Sequence, residues 1–161
     1  FLMLSATVTQ MIMNSYEAAL AVMPQLAGFI PMLTGTGGNC GSQSSTLVIR
    51  GLAIGEIEFR DLFKVIWKEV RIAVCISIIL AVVNGARIVL MGQGDAMMAL
   101  TIGATMACTV IIAKVVGCTL PLVAKKVGLD PAIMATPLIS TLVDISTISV
   151  YFAIVSFVFR L

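Results

Sequence analysis

Apolar residues run in long blocks along this chain, separated by short polar or charged segments. About 20 apolar residues in a helix cross the hydrocarbon core of a bilayer, so the pattern predicts membrane-spanning helices. Residues 1–13 are apolar but reach only about 20 Å as a helix, which predicts the outer end of a first span. Asn14, Ser15 and Glu17 predict a turn and a new helix, with Ser15 as its N-cap. Residues 18–33 are apolar apart from Gln25 and the prolines Pro24 and Pro31. Residues 34–46 then bring four glycines together with Asn39, Gln43 and several hydroxyls, before apolar residues return at Leu47. Irregular backbone at membrane depth is tolerated only inside protein or beside a watery cavity, so a broken helix is expected here. The competing reading is that these glycines and serines let helices pack closely.

Residues 55–71 carry eight charges: Glu56, Glu58, Arg60, Asp61, Lys64, Lys68, Glu69 and Arg71. Ile57, Leu62, Phe63, Ile66, Trp67 and Val70 recur near helical spacing, which predicts an amphipathic interfacial helix leading into a span. Residues 72–90 form that span, and residues 91–95 a tight loop with Gly92 and Gly94 as breakers. Residues 96–123 form the next span and contain Lys114; Lys125 and Lys126 close it. A turn at 128–131 follows, where Asp130 as N-cap and Pro131 in the first helical position start the last span. The expected fold is all-α: a polytopic membrane protein of five spans, the first truncated, in a single domain over residues 1–161. No internal repeat points to an inverted-repeat architecture.

Composition agrees. The chain is 60% hydrophobic and 11% charged, against about 25% charged for a soluble domain, and its mean hydropathy is +1.11. A net charge of +2 on thinly spread basic residues argues against nucleic acid as a partner and leaves the lipid bilayer. The four cysteines, Cys40, Cys75, Cys108 and Cys118, follow no zinc or redox spacing and read as small apolar residues. Arg50, Arg60, Lys64, Lys68, Arg71, Lys125 and Lys126 fall on one side of the alternating spans, with Arg87 and Arg160 on the other. That excess marks the first side as cytoplasmic, in a multi-pass plasma-membrane protein whose C-terminus lies outside. The chain opens at Phe1, inside an apolar run that does not resemble a signal peptide. An upstream cytoplasmic segment is therefore expected.

The candidate chemistry centres on Asp144, the only charged residue between 131 and 159. It lies roughly 20 Å along a helix begun at Pro131, where a lone Asp costs about 2.5–3.5 kcal/mol on insertion scales. Such a residue faces water, a partner charge or a bound cation. Pro137, Ser140, Thr141, Thr147 and Ile148 share its face at helical spacing, and Pro137 frees a backbone carbonyl near Ile133. Every donor in this stripe is oxygen. The competing reading is that Asp144 pairs with Lys114 or caps a polar helix contact, Lys114 otherwise snorkelling to the cytoplasm. Oxygen ligands without His or nearby Cys favour hard cations over zinc or copper. One carboxylate suits an ion that keeps its waters, so Mg²⁺ comes first, with Mn²⁺, Co²⁺ and Ca²⁺ as further candidates. Two chains about a two-fold axis would set two carboxylates against one divalent ion. Nothing supports an enzyme: there is no His, no carboxylate pair and no Ser–base arrangement. A pure scaffold leaves the cost of Asp144 unexplained.

The run Pro31-Met32-Leu33-Thr34-Gly35-Thr36-Gly37-Gly38-Asn39-Cys40-Gly41-Ser42-Gln43-Ser44, followed by Arg50-Gly51-Leu52-Ala53, resembles the signature of the MgtE magnesium channels. Asp130-Pro131 with Pro137, Thr141 and Asp144 resembles that family's final helix. The resemblance implies a homodimer whose second and fifth membrane helices line one central pore. It implies that Asp144 of both chains holds a hydrated Mg²⁺, helped by the backbone carbonyl of Ser140. Gly35 would lie along the pore, Asn39 and Thr141 would belong to its lining, and Ser42, Thr46 and Thr136 would sit toward a cytoplasmic gate. It further implies a preceding cytoplasmic Mg²⁺-sensing region, absent from these 161 residues. The expected function is a Mg²⁺-selective channel domain. The alternative is a proton- or sodium-coupled divalent-cation carrier.

Overall fold

A computed structural model describes residues 2–132 and 136–160. Helices account for the ordered elements: α1 Leu2–Ser15, α2 Glu17–Val22, α3 Ile30–Ala53, α4 Leu62–Leu90, α5 Ala96–Lys126 and α6 Thr136–Phe159. A 3₁₀ segment at Pro24–Phe29 joins α2 to α3, and a short 3₁₀ turn at Phe59–Asp61 leads into α4. Among the described residues three helical stretches are long and apolar enough to cross a membrane, Phe59–Leu90, Ala96–Lys126 and Pro137–Phe159. The all-helical expectation therefore holds, with three membrane-competent helices.

Local chemistry sets the helix ends. Met23 precedes Pro24 and takes φ −131°, ψ 76°, because a following proline disfavours the α region; the α2 helix ends there. Pro31 sits in the first turn of α3, where its missing N–H costs no hydrogen bond. α4 and α5 stop at Gly92 (φ 62°) and Gly128 (φ 80°). At each, the next residue's N–H returns to the helix, Gln93 to the Ile88 carbonyl at 3.0 Å and Leu129 to the Ala124 carbonyl at 2.9 Å. That is the Schellman closure, which needs a left-handed residue and so favours glycine. Asp95 caps α5 by accepting the Met98 N–H at 2.9 Å.

Two expectations fail here. Ser15 does not cap α2; its hydroxyl donates to the Met11 carbonyl at 2.9 Å, and Tyr16 takes the cap position without a side-chain bond. Asp130 accepts the Ala132 N–H at 2.9 Å, a cap-like contact, but α6 is described only from Thr136. Pro137 is the second described residue of that helix, and the carbonyl near Ile133, which the proline is expected to free, lies outside the described residues.

The larger correction concerns residues 34–46. They form no break: α3 is one helix of 24 residues, about 36 Å long. Its glycines serve packing. A Cβ on Gly37 would come within 2.7 Å of Thr109 Cγ2 and Val143 Cγ1. One on Gly41 would meet Ile139 Cγ2 at 2.8 Å, and one on Gly117 would run into the Gly41 backbone. Small residues thus bring α3 nearly backbone to backbone against α5 and let α6 side chains seat on its glycines.

The amphipathic stripe also divides. Ile57, Leu62 and Ile66 pack onto a cluster of Val48, Leu52, Cys118 and Leu122 at one end of the bundle. Phe63 and Trp67 point outward, 81% and 65% exposed, in keeping with an aromatic belt at a membrane interface. At the other end, Tyr151 of α6 donates its hydroxyl to the Leu26 carbonyl at 2.9 Å, tying the 3₁₀ segment to the bundle.

Glu69, in α4, is buried. Its Oε2 accepts Lys114 Nζ from α5 at 3.1 Å and Ser44 Oγ from α3 at 2.5 Å. Lys114 therefore neither reaches Asp144 nor snorkels to the cytoplasm. Removing one partner of a buried pair leaves an uncompensated charge, so Lys114→Met is expected to destabilise the fold by about 3–5 kcal/mol. The double variant Lys114→Met/Glu69→Leu should recover much of that loss in thermal unfolding of the purified protein in detergent. A double variant as unstable as the sum of the two single changes would deny the pairing.

Candidate functional site

α6 runs antiparallel to α3, and α1 packs beside α6. Between the three lies an open cleft of about 860 Å³. Asp144 is its only charged residue among the lining residues. The carboxylate is half-buried, and no ion pair or hydrogen bond among the described residues takes it up. It lies eight residues beyond Thr136, about 12 Å along the described helix.

The polar groups around it have a common polarity. Thr141 Oγ1 gives its proton to the Pro137 carbonyl at 2.8 Å, and Thr34 Oγ1 gives its proton to the Ile30 carbonyl at 3.0 Å. Both hydroxyl oxygens are left as acceptors. Ser140 lines the same wall, and α1 adds Thr9, Gln10 and Asn14. Among the described residues no group of three His, Cys, Asp or Glu side chains could enclose a bare metal ion. One carboxylate among oxygen acceptors instead suits an ion whose own waters donate hydrogen bonds to the wall.

The expected site residues fall into two groups. Asp144, Ser140 and Thr141 come together in the cleft with Pro137, Ile148 and Pro31. Asn39, Ser42 and Thr46 lie together elsewhere, on an outward face of α3, lining a hollow of about 590 Å³ with Gln43 and Leu47. Gly35 belongs to neither lining; it is exposed on α3, with open space where a Cβ would stand. Thr136 opens α6, but its side chain lies outside the described residues.

The α1 residues are not among the expected site residues because an apolar run about 20 Å long reads as lipid-facing, whereas Thr34 stands in the polar segment 34–46 and gains its place only from the packing of α3 against α6. Thr9 and Gln10, adjacent within that run, are the signal that was available. Glu69 was missed because it sits in a charged segment. Its place four residues before Ala73 and eight before Ser77 marks it as part of the buried face of α4.

These features define a helical membrane protein with an acidic, hydroxyl-lined cleft. Residues 30–154 match the family model MgtE, described as a divalent cation transporter. The chain is 32% identical over 153 residues to the magnesium transporter MgtE of Thermus thermophilus, covering 95% of this chain and 34% of that protein. It is 35% identical over 147 residues to the MgtE of Bacillus subtilis, covering 89% and 32%, and 30% identical over 155 residues to that of Enterococcus faecalis, covering 94% and 33%. The chain belongs to the MgtE family of divalent cation transporters. It spans about a third of the length of these curated relatives.

Thr34→Val keeps the shape of the cleft wall and removes one acceptor. Divalent-cation titration of the purified protein should then read affinity about threefold to tenfold weaker. An unchanged titration would exclude Thr34 from the ion's surroundings.

Proposed function

We propose that this chain is the ion-conducting domain of a Mg²⁺ channel in the plasma membrane. It works as a homodimer with a central pore, its C-terminus outside. In this reading α3 crosses the bilayer beside α4, α5 and α6, and α1 completes a fifth span. The length of α3 supports this, as does its packing between α5 and α6. The polar residues that lower its hydropathy lie on its exposed face: Asn39, Gln43 and Thr46 at helical spacing. A second chain set against that face would enclose a polar path.

One observation carries the reading. Lys114, the only cation within the apolar part of α5, is neutralised by Glu69, so the charge of Asp144 is left for the cleft. A hydrated Mg²⁺ gives up water reluctantly. Its shell can donate hydrogen bonds to Asp144, Thr34, Thr141 and the Ser140 carbonyl while the ion keeps its own waters. Two copies of Asp144 supply a −2 field to a +2 ion. Ser42, Thr46 and Thr136 then lie on the cytoplasmic side of this point, where a gate would close. Mn²⁺, Co²⁺ and Ca²⁺ carry the same charge and are separated from Mg²⁺ by hydration.

Asp144→Asn is nearly isosteric and removes the charge. In proteoliposomes we expect it to abolish Mg²⁺ uptake, while size-exclusion behaviour stays that of the parent protein. Undiminished flux would refute the assignment. Uptake that follows an imposed proton or Na⁺ gradient would replace the channel with a coupled carrier.

A further inference from the structure

Arg87 has no role in the cleft. It lies three residues before the end of α4, about 4.5 Å from that helix end, on the face of the bundle opposite the basic loops. Its Nη2 approaches Met32 Sδ at 3.4 Å, and its Nε is buried with no acceptor. No carboxylate pairs with it among the described residues. Asp95, the acid closest in sequence to this end of the helix, is engaged in capping α5.

A pocket of about 390 Å³ opens beside this guanidinium, lined by Gln25, Gly28, Phe29, Arg87, Gly92 and Gln93. Two amide side chains thus flank one cation, and no acid is among the lining residues. A buried charged donor without an acceptor is costly. A guanidinium fork matches the oxygens of a phosphate in paired hydrogen bonds. The walls come from the 3₁₀ segment and the α4–α5 turn, both at the bundle end where lipid headgroups lie.

We propose that this pocket binds the phosphate of an anionic phospholipid of the outer leaflet. Arg87 is the principal donor, and Gln25 and Gln93 supply neutral donors. The proposal rests on the membrane orientation given above and not on the identity of the transported ion. A lipid phosphate bound here would pin the Pro24–Phe29 segment to the end of α4. That segment leads directly into α3, which carries Pro31 and Thr34 of the cleft.

The test is lipid-dependent thermal stability of the delipidated protein, in detergent without Mg²⁺. Phosphatidylglycerol, phosphatidylcholine and inorganic phosphate are titrated separately. The expected result is stabilisation by phosphatidylglycerol at concentrations about tenfold lower than by phosphatidylcholine, and a shift of about tenfold to weaker binding in Arg87→Gln. Arg60→Gln, at the opposite end of the bundle, should leave the titration unchanged. Gln93→Leu, which keeps the cation, should weaken it in the same direction, and serves if Arg87→Gln does not fold. Equal stabilisation by inorganic phosphate would make this a soluble-anion site and overturn the lipid assignment. An unaltered titration in Arg87→Gln and Gln93→Leu would overturn the site altogether. Because no Mg²⁺ is present, either failure leaves the transport reading standing. Retained Mg²⁺ flux in Asp144→Asn would in turn leave this site standing.

Discussion

Three helices meet at one carboxylate. Glu69 of α4 accepts Lys114 of α5 and Ser44 of α3 on the same oxygen, and both charged side chains are about 95% buried. In a low-dielectric interior neither ion is stable alone, and the pair is tolerable only because a further hydrogen bond completes it. The arrangement fixes the register of α3 against its neighbours. A slide of α3 along α5 would remove the hydroxyl from the ion pair and drive the Gly41 and Gly117 backbones apart. The same register sets Thr34 and Pro31 opposite Ser140 and Asp144.

The pair also organises charge across the bundle. Two opposite charges taken together in the core of the chain leave Asp144 uncompensated in its cleft and Arg87 uncompensated near the other end of α4. Both have stated surroundings: hydroxyl oxygens around the acid, amide side chains around the base. A membrane bundle can hold an uncompensated charge only where it faces water, ligand or headgroup.

Close packing and polarity divide α3 between two faces. Gly37, Gly41, Ser44, Ser45 and Val48 are buried toward α5 and α6, while Pro31, Gly35, Asn39, Gln43 and Thr46 are exposed. A helix of such composition is too polar to rank with the three apolar helices, and is held in place by neighbours rather than by lipid. The Thr109 methyl and the Thr147 hydroxyl oxygen face Gly37, and both threonine hydroxyls are buried without a hydrogen-bond partner among the described residues, so even the buried face carries polarity.

Several features were legible in residue order alone because their causes are local. Glycine at 92 and 128 ends a helix through its own backbone freedom. Block hydropathy marks α4, α5 and α6. Asp144, Ser140 and Thr141 share a face by helical periodicity, so their grouping was readable too. What residue order left open depends on groups far apart in the chain. The continuity of α3, expected to break, rests on the α5 backbone and on α6 side chains filling the space its glycines leave. The partner of Lys114 lies 45 residues away, and no spacing rule chooses Glu69 over Asp144. The cleft needs α1, α3 and α6 side by side, so Thr9, Gln10, Asn14 and Thr34 join the site only when the helices are packed.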